Sequence, residues 1–226
     1  MTAAPLLCFA PGTCARVPLI ALEEIGAPFE TRLIAFMAGD HRKPDYLAVN
    51  PSGKVPALIL PGGVITQNAA ILHYLARAHP AAGLLPPASN PIAEAQAIGQ
   101  FARFSADLHP IVTRIVMTHF FTGVPEAIPD IKARSVEAMG FQLASYEVQL
   151  SEREWLLESG WSILDAYLFW VWFRITGAGF DGSTFPHISR HYVQMQERPA
   201  VQRALAREVA ASHDLTNRGL TVPMPK

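Results

Sequence analysis

Short apolar runs punctuated by glycine and proline fill residues 6–78, and longer helical periods fill most of the rest. Leu6–Ala10 reads as a buried strand that Pro11-Gly12-Thr13 breaks. From Cys14 to Ile25 the apolar residues Val17, Ile20, Ala21 and Ile25 recur at helical spacing, with Gly26 as a C-terminal cap. Phe29–Ile34 predicts a second strand. Residues 35–49 predict a polar loop and a short helix around Pro44-Asp45-Tyr46-Leu47. Ala57–Leu60 and Val64–Thr66 predict a hairpin through Pro61-Gly62-Gly63. Ala69–Ala78 predicts a helix with Ile71, Leu72 and Leu75 on one side.

Residues 80–91, PAAGLLPPASNP, are a linker by composition. No strand signal follows. Ile92–Phe121 and Pro129–Leu150 predict two long helices, and Ser162–Ile175, Pro186–Glu197 and Ala200–Ala210 three shorter ones. His213–Lys226, with Pro223 and Pro225, has no period and is expected to be irregular. Ser162 and Asp165 have capping-box spacing, so Asp165 is expected to be a buried cap rather than a catalytic acid.

Half of the 226 residues are hydrophobic, enough for a substantial core, and the net charge of −1 argues against a nucleic-acid partner. No apolar run approaches the ~18–20 residues of a membrane span, so no membrane partner is expected. The N-terminus lacks a cationic start and reaches Glu23-Glu24, which does not fit a signal peptide. Cys8 and Cys14, separated by five residues, form neither a CxxC pair nor a metal framework. No metal is expected, and the setting expected is the reducing cytoplasm.

Residues 50–75, NPSGKVPALILPGGVITQNAAILHYL, carry the most chemistry. Proline is barred from central strand positions, so Val55-Pro56 after a glycine turn is a candidate cis bond. Such a turn leaves the Val55 backbone able to hold an extended peptide. Gln67-Asn68 at a helix start adds backbone donors for an anion. The ordered segment resembles the glutathione-binding half of the glutathione S-transferase family, whose pattern runs NPxGxVPxL, a hairpin, then Thr-Glu-Ser-x-Ala-Ile. Thr66, Ala70 and Ile71 match, whereas Gln67-Asn68 stands for Glu-Ser. The resemblance implies an α/β plus all-α fold. An N-terminal thioredoxin-like glutathione-binding domain would span residues 1–79, a linker 80–91, and an all-helical substrate-binding domain 92–226. It also implies a homodimer. GWSILDAYLFWVW resembles the family's structural SxADAYLF segment, with Leu164 for the small alanine.

LLCFAPGTCARVPLIALEE resembles the bacterial beta-class form, roughly LYYSPGACSxAPHIALEE. With the Pro-Gly pairs superposed, Phe9 falls on a common tyrosine and Ala15 on a common serine, and neither has a hydroxyl. Cys14 falls on the cysteine that marks the class. In that class it can hold glutathione as a mixed disulfide, which favours thiol–disulfide exchange beside or instead of conjugation. At a helix N-terminus a thiolate is stabilised. The opposing reading is an inert cysteine against the sheet. Thr13 is a minor alternative contact for the glutathione sulfur, and Cys8 reads as core. Ser105–Pro110 resembles the class's SxxLHK/P segment, so His109 either lines the cleft and moves a proton or fills a kink before Pro110. His41, Arg42 and Lys43 are within reach of a glycyl carboxylate or form a solvated loop.

Gln67 keeps a carbonyl for the γ-glutamyl ammonium but loses a charge, and a charge-assisted bond is roughly twice as strong as a neutral one. The leading expectation is a cytoplasmic glutathione transferase. It would bind glutathione along Val55, Pro56, Gln67 and Asn68, with a hydrophobic electrophile or a disulfide as second substrate. The rival is a catalytically weak or inactive binding or scaffolding protein of the same fold.

Overall fold

Strand β1 (Leu6–Phe9) runs parallel to β2 (Glu30–Leu33), Leu6 opposite Glu30 and Phe9 opposite Leu33, and helix α1 (Arg16–Ile25) connects them. After α2 (Pro44–Leu47), β3 (Ala57–Leu60) pairs antiparallel with β1, and β4 (Gly63–Thr66) antiparallel with β3, giving the order β2-β1-β3-β4. Helix α3 (Asn68–Ala78) follows and packs on α1. This computed structural model describes residues 4–221. Its first unit is the thioredoxin-like arrangement expected. Side chains alternate across the sheet, so Cys8 lies on the opposite face from Leu7 and Phe9. It joins Ala10, Ile34, Tyr46, Val55 and Ala57 in one apolar cluster. Burial pushes the Cys8 thiol up, as befits a core residue. Gly26, at φ +70°, closes α1 with its N–H on the Leu22 carbonyl.

The second unit spans Leu85–Glu197 and is helical. The Asn90 side chain accepts from Ile92 N–H and Ala93 N–H and starts α4 (Pro91–Ala102). One helix over Ile92–Phe121 was expected; instead Arg103–Leu108 is a π-helical turn, and α5 (His109–Val116) ends early. His109 N–H bonds to the Phe104 carbonyl, five residues back. Pro110 has no N–H and cannot continue the regular ladder, so the wider turn absorbs the break. Helix α6 (Ile128–Glu152) follows, then α7 (Ile163–Gly177) and α8 (Pro186–Glu197). Every residue of Ile163–Trp172 is buried, so α7 is apolar all round and forms the centre of the unit. Glu147, on α6, accepts from His187 N–H at 2.8 Å and Ile188 N–H at 2.9 Å, capping α8. The Ser162–Asp165 capping box is formed, and Asp165 is fully buried.

Two corrections concern the C-terminal part. Helix α9 runs Pro199–Asn217, past the expected end at Ala210 and into the segment expected to be irregular. Its exposed face tolerates the polar residues that hid the period. Gly219, at φ +65°, ends it, and Leu220 N–H bonds back to the Leu215 carbonyl. Pro223 and Pro225 lie outside the described residues. The boundary also differs from 92–226: among the described residues, those from Arg198 to 221 group with the first unit, where α9 packs on α1. Arg198 pairs with Glu24 at 2.8 Å and Arg203 with Glu23 at 2.7 Å. No helix of the described residues is long and apolar enough to cross a membrane.

Candidate functional site

The turn ahead of β3 is built by its own polar side chains. The Asn50 side-chain oxygen Oδ1 accepts from Ser52 N–H at 3.2 Å and from Ser52 Oγ at 2.7 Å, an Asx turn. Gly53 holds φ +60°, and a Cβ there would meet the His41 carbonyl oxygen at 3.0 Å. The Lys54 carbonyl then accepts from both Tyr46 Oη at 2.7 Å and Asn50 Nδ2 at 2.6 Å. These bonds fix the chain just before Val55-Pro56, which is cis as expected. Desolvation pushes the Tyr46 phenol up to about 12, so it stays a donor to Lys54.

Across from this turn, β1 is followed by the loop Pro11-Gly12-Thr13-Cys14. Gly12 takes φ +71°, and its N–H donates to Glu208 Oε1 at 3.1 Å. The Thr13 hydroxyl donates to the Ala10 carbonyl at 2.7 Å and accepts from Ala15 N–H at 3.3 Å, so it braces the loop. Cys14 precedes α1 and is buried. Its thiol donates to the Val55 carbonyl, with sulfur and oxygen 3.6 Å apart. The Val55 carbonyl, expected to be open to a ligand, is thus met by Cys14 itself. Asn68, at the start of α3, donates from Nδ2 to the Cys14 carbonyl at 2.9 Å. Gln67 before it is exposed and stands at φ 71°, ψ 127°, a left-handed position that costs a non-glycine residue about 1–3 kcal/mol. Thr13, Cys14, Val55, Pro56, Gln67 and Asn68 therefore belong to one unit, and hydrogen bonds link Cys14 directly to Val55 and Asn68.

Glu208 was not singled out by its sequence, yet it anchors this loop. Its carboxylate accepts from Arg16 Nε at 2.9 Å as well as from Gly12, and both charged side chains are almost fully buried. No short-range pattern marks a pair 192 residues apart.

Lys43 pairs with Asp40 at 2.6 Å, the His41 ring stacks on Phe36 at 3.9 Å, and Arg42 is exposed. Burial holds the His41 imidazole below its ordinary value. His109 belongs to the second unit, at the start of α5, with its ring edge-on to Trp170 at 4.7 Å. His187 and His191 have the four-residue spacing of a helix-borne metal pair, which the expectation of no metal passed over. His191 is bonded to Asp165 at 3.0 Å, and the described residues gather no group of three or more potential ligands.

Comparison with known proteins gives the family of the chain. The family model "Glutathione S-transferase, N-terminal domain" matches residues 7–77. The chain is 32% identical to glutathione S-transferase GstA of Escherichia coli O157:H7 over 211 residues, covering 89% of this chain and 98% of that protein. The chain belongs to the glutathione S-transferase family. Among solved structures, a beta-class glutathione S-transferase of Sphingomonas chungbukensis shares 30% identity at a TM-score of 0.78, over 90% of this chain and 98% of the other. A Sulfitobacter glutathione transferase homologue solved with bound glutathione shares 28% identity at a TM-score of 0.77, over 96% and 99%.

Proposed function

We propose that this family member is a glutathione transferase whose reacting group is Cys14. The observation that carries the assignment is the Cys14 sulfur, just ahead of α1 and 3.6 Å from the Val55 carbonyl. Family membership supports glutathione as co-substrate. Its backbone would pair along Val55-Pro56, and its γ-glutamyl carboxylate would meet the N–H groups at the start of α3. Deprotonated Cys14 attacks the glutathione sulfur of a mixed disulfide between glutathione and a second thiol. A Cys14–glutathione disulfide forms as that second thiol leaves as thiolate, and a glutathione thiolate then attacks the bound glutathione sulfur, departing with it as glutathione disulfide and regenerating Cys14. In conjugation the glutathione sulfur, having lost its proton, bonds to the electrophilic carbon of a hydrophobic substrate as the leaving group departs. His109 is assigned to that second-substrate wall, and the working form is a cytoplasmic homodimer engaged in detoxification.

The test is thiol–disulfide exchange and conjugation assayed on wild type and Cys14→Ala. Loss of exchange by at least a hundredfold in the variant is expected. Full exchange in Cys14→Ala would remove Cys14 from the mechanism, and wild type without glutathione binding by calorimetry would leave the scaffolding alternative.

A further inference from the structure

We infer that the helical unit carries a binding site of its own for an organic carboxylate with an apolar body. The site is a cavity of about 400 Å³ walled by the end of α6, the segment after it and the start of α7. That volume lies in the range of small-molecule sites. All its walls belong to Leu85–Glu197, so none of Cys14, Val55 or Asn68 takes part.

Two buried donors on its wall lack acceptors. Tyr146 is 2% exposed, and its hydroxyl has no hydrogen-bond partner among the described residues. The ring is held between Phe104, stacked at 5.4 Å, and the Arg103 guanidinium, 4.5 Å away, so the hydroxyl is fixed in place. Its phenol is pushed up to about 12 by burial and stays a donor. Arg153 Nε is likewise buried and unpartnered. The Arg153 Nη1 has only a loose contact with Glu158, at 3.6 Å, and the Glu158 side chain is 93% exposed. The Arg153 backbone is itself held, its carbonyl accepting from Arg190. Buried polar groups are almost always satisfied, so this pair marks a place for an acceptor. A guanidinium fork beside a hydroxyl donor matches a carboxylate, which would take over the loose place of Glu158. Leu156, Leu157 and Leu164 supply the apolar wall that an aryl or alkyl body would cover. Glu158 at the rim disfavours a dianion and favours a single carboxylate.

Calorimetry of the full chain with 4-phenylbutyrate and with 4-phenylbutanol, at saturating glutathione, tests the site. One carboxylate per chain is expected, with the alcohol at least tenfold weaker. Arg153→Met should weaken binding tenfold or more, and Tyr146→Phe several-fold, with exchange activity unchanged in Tyr146→Phe. Should Arg153→Met fail to fold, a wild-type crystal soaked with 4-(4-bromophenyl)butyrate decides: the bromine anomalous peak should lie in this cavity. Equal affinity for acid and alcohol, displacement by glutathione, unchanged binding in Tyr146→Phe, or a cavity holding only ordered water would overturn the assignment.

Discussion

The Cys14 thiol donates to the Val55 carbonyl across 3.6 Å, so the two sequence motifs that carry the glutathione resemblance meet at one bond. Asn68 completes the arrangement from a third segment by holding the Cys14 carbonyl at 2.9 Å. The residue that departs from the family's serine is therefore tied to the loop that bears the sulfur. Its effect should appear in the reactivity of Cys14 as well as in affinity.

Asn68→Ala removes a buried hydrogen bond of about 1 kcal/mol and loosens the position of Cys14. The expected outcome is a fall in kcat for exchange of threefold or more, together with a modest drop in stability. Steady-state kinetics beside urea unfolding check it. A change confined to KM would mean that Asn68 only contacts ligand.

Glu208→Ala removes the buried carboxylate to which both the Arg16 guanidinium and the Gly12 N–H donate. Removing one partner of a buried pair costs about 3–5 kcal/mol. Replacing both, as Arg16→Met with Glu208→Leu, should recover most of that loss, since the desolvation cost disappears with the charges. Denaturant midpoints of the two single variants and the double variant give the comparison.

Asp165→Ala strips acceptors from Leu156 N–H, Ser162 N–H and His191 at once. All three are buried. The loss should exceed the ~1 kcal/mol of an ordinary N-cap and approach the cost of several unsatisfied groups. Ser162→Ala, which keeps the carboxylate, should cost only about 1 kcal/mol. Thermal unfolding of both variants separates the cap from the network.

Tyr46 supplies a pH signature. Its folded pKa is raised to about 12 from an ordinary value of 10.0. A group raised on folding contributes stability that is fully present below the unfolded value and is lost as pH rises through the folded one. Wild type should thus weaken steadily from about pH 10 to 12. Tyr46→Phe should be less stable at neutral pH, having lost its bond to Lys54, and flatter over that alkaline range. Unfolding free energies measured across the range decide.

What the chain revealed in advance was local chemistry. Asn50-Pro51-Ser52-Gly53 forms its turn from its own side chains, and Ser162 with Asp165 caps its own helix. Both were legible because partners lie within a few residues. The break at His109-Pro110 was legible, but its form, a π-helical turn, was not, because proline specifies only the missing N–H. Gln67 at positive φ was hidden because glutamine has no preference for that conformation. Glu208 was hidden for another reason. A glutamate on an amphipathic helix looks solvated until the fold buries it against Arg16. The segment from His213 to Asn217 carries no apolar stripe, so its pattern did not extend the helix past Ala210.

The most direct test of the central claim is intact-protein and peptide mass spectrometry after incubation with glutathione disulfide. One glutathione should attach per chain, on the peptide containing Cys14, reversible by added glutathione. Cys8, buried in the core cluster, should stay unmodified. No adduct under these conditions, or an adduct on Cys8 with Cys14 free, would contradict the account.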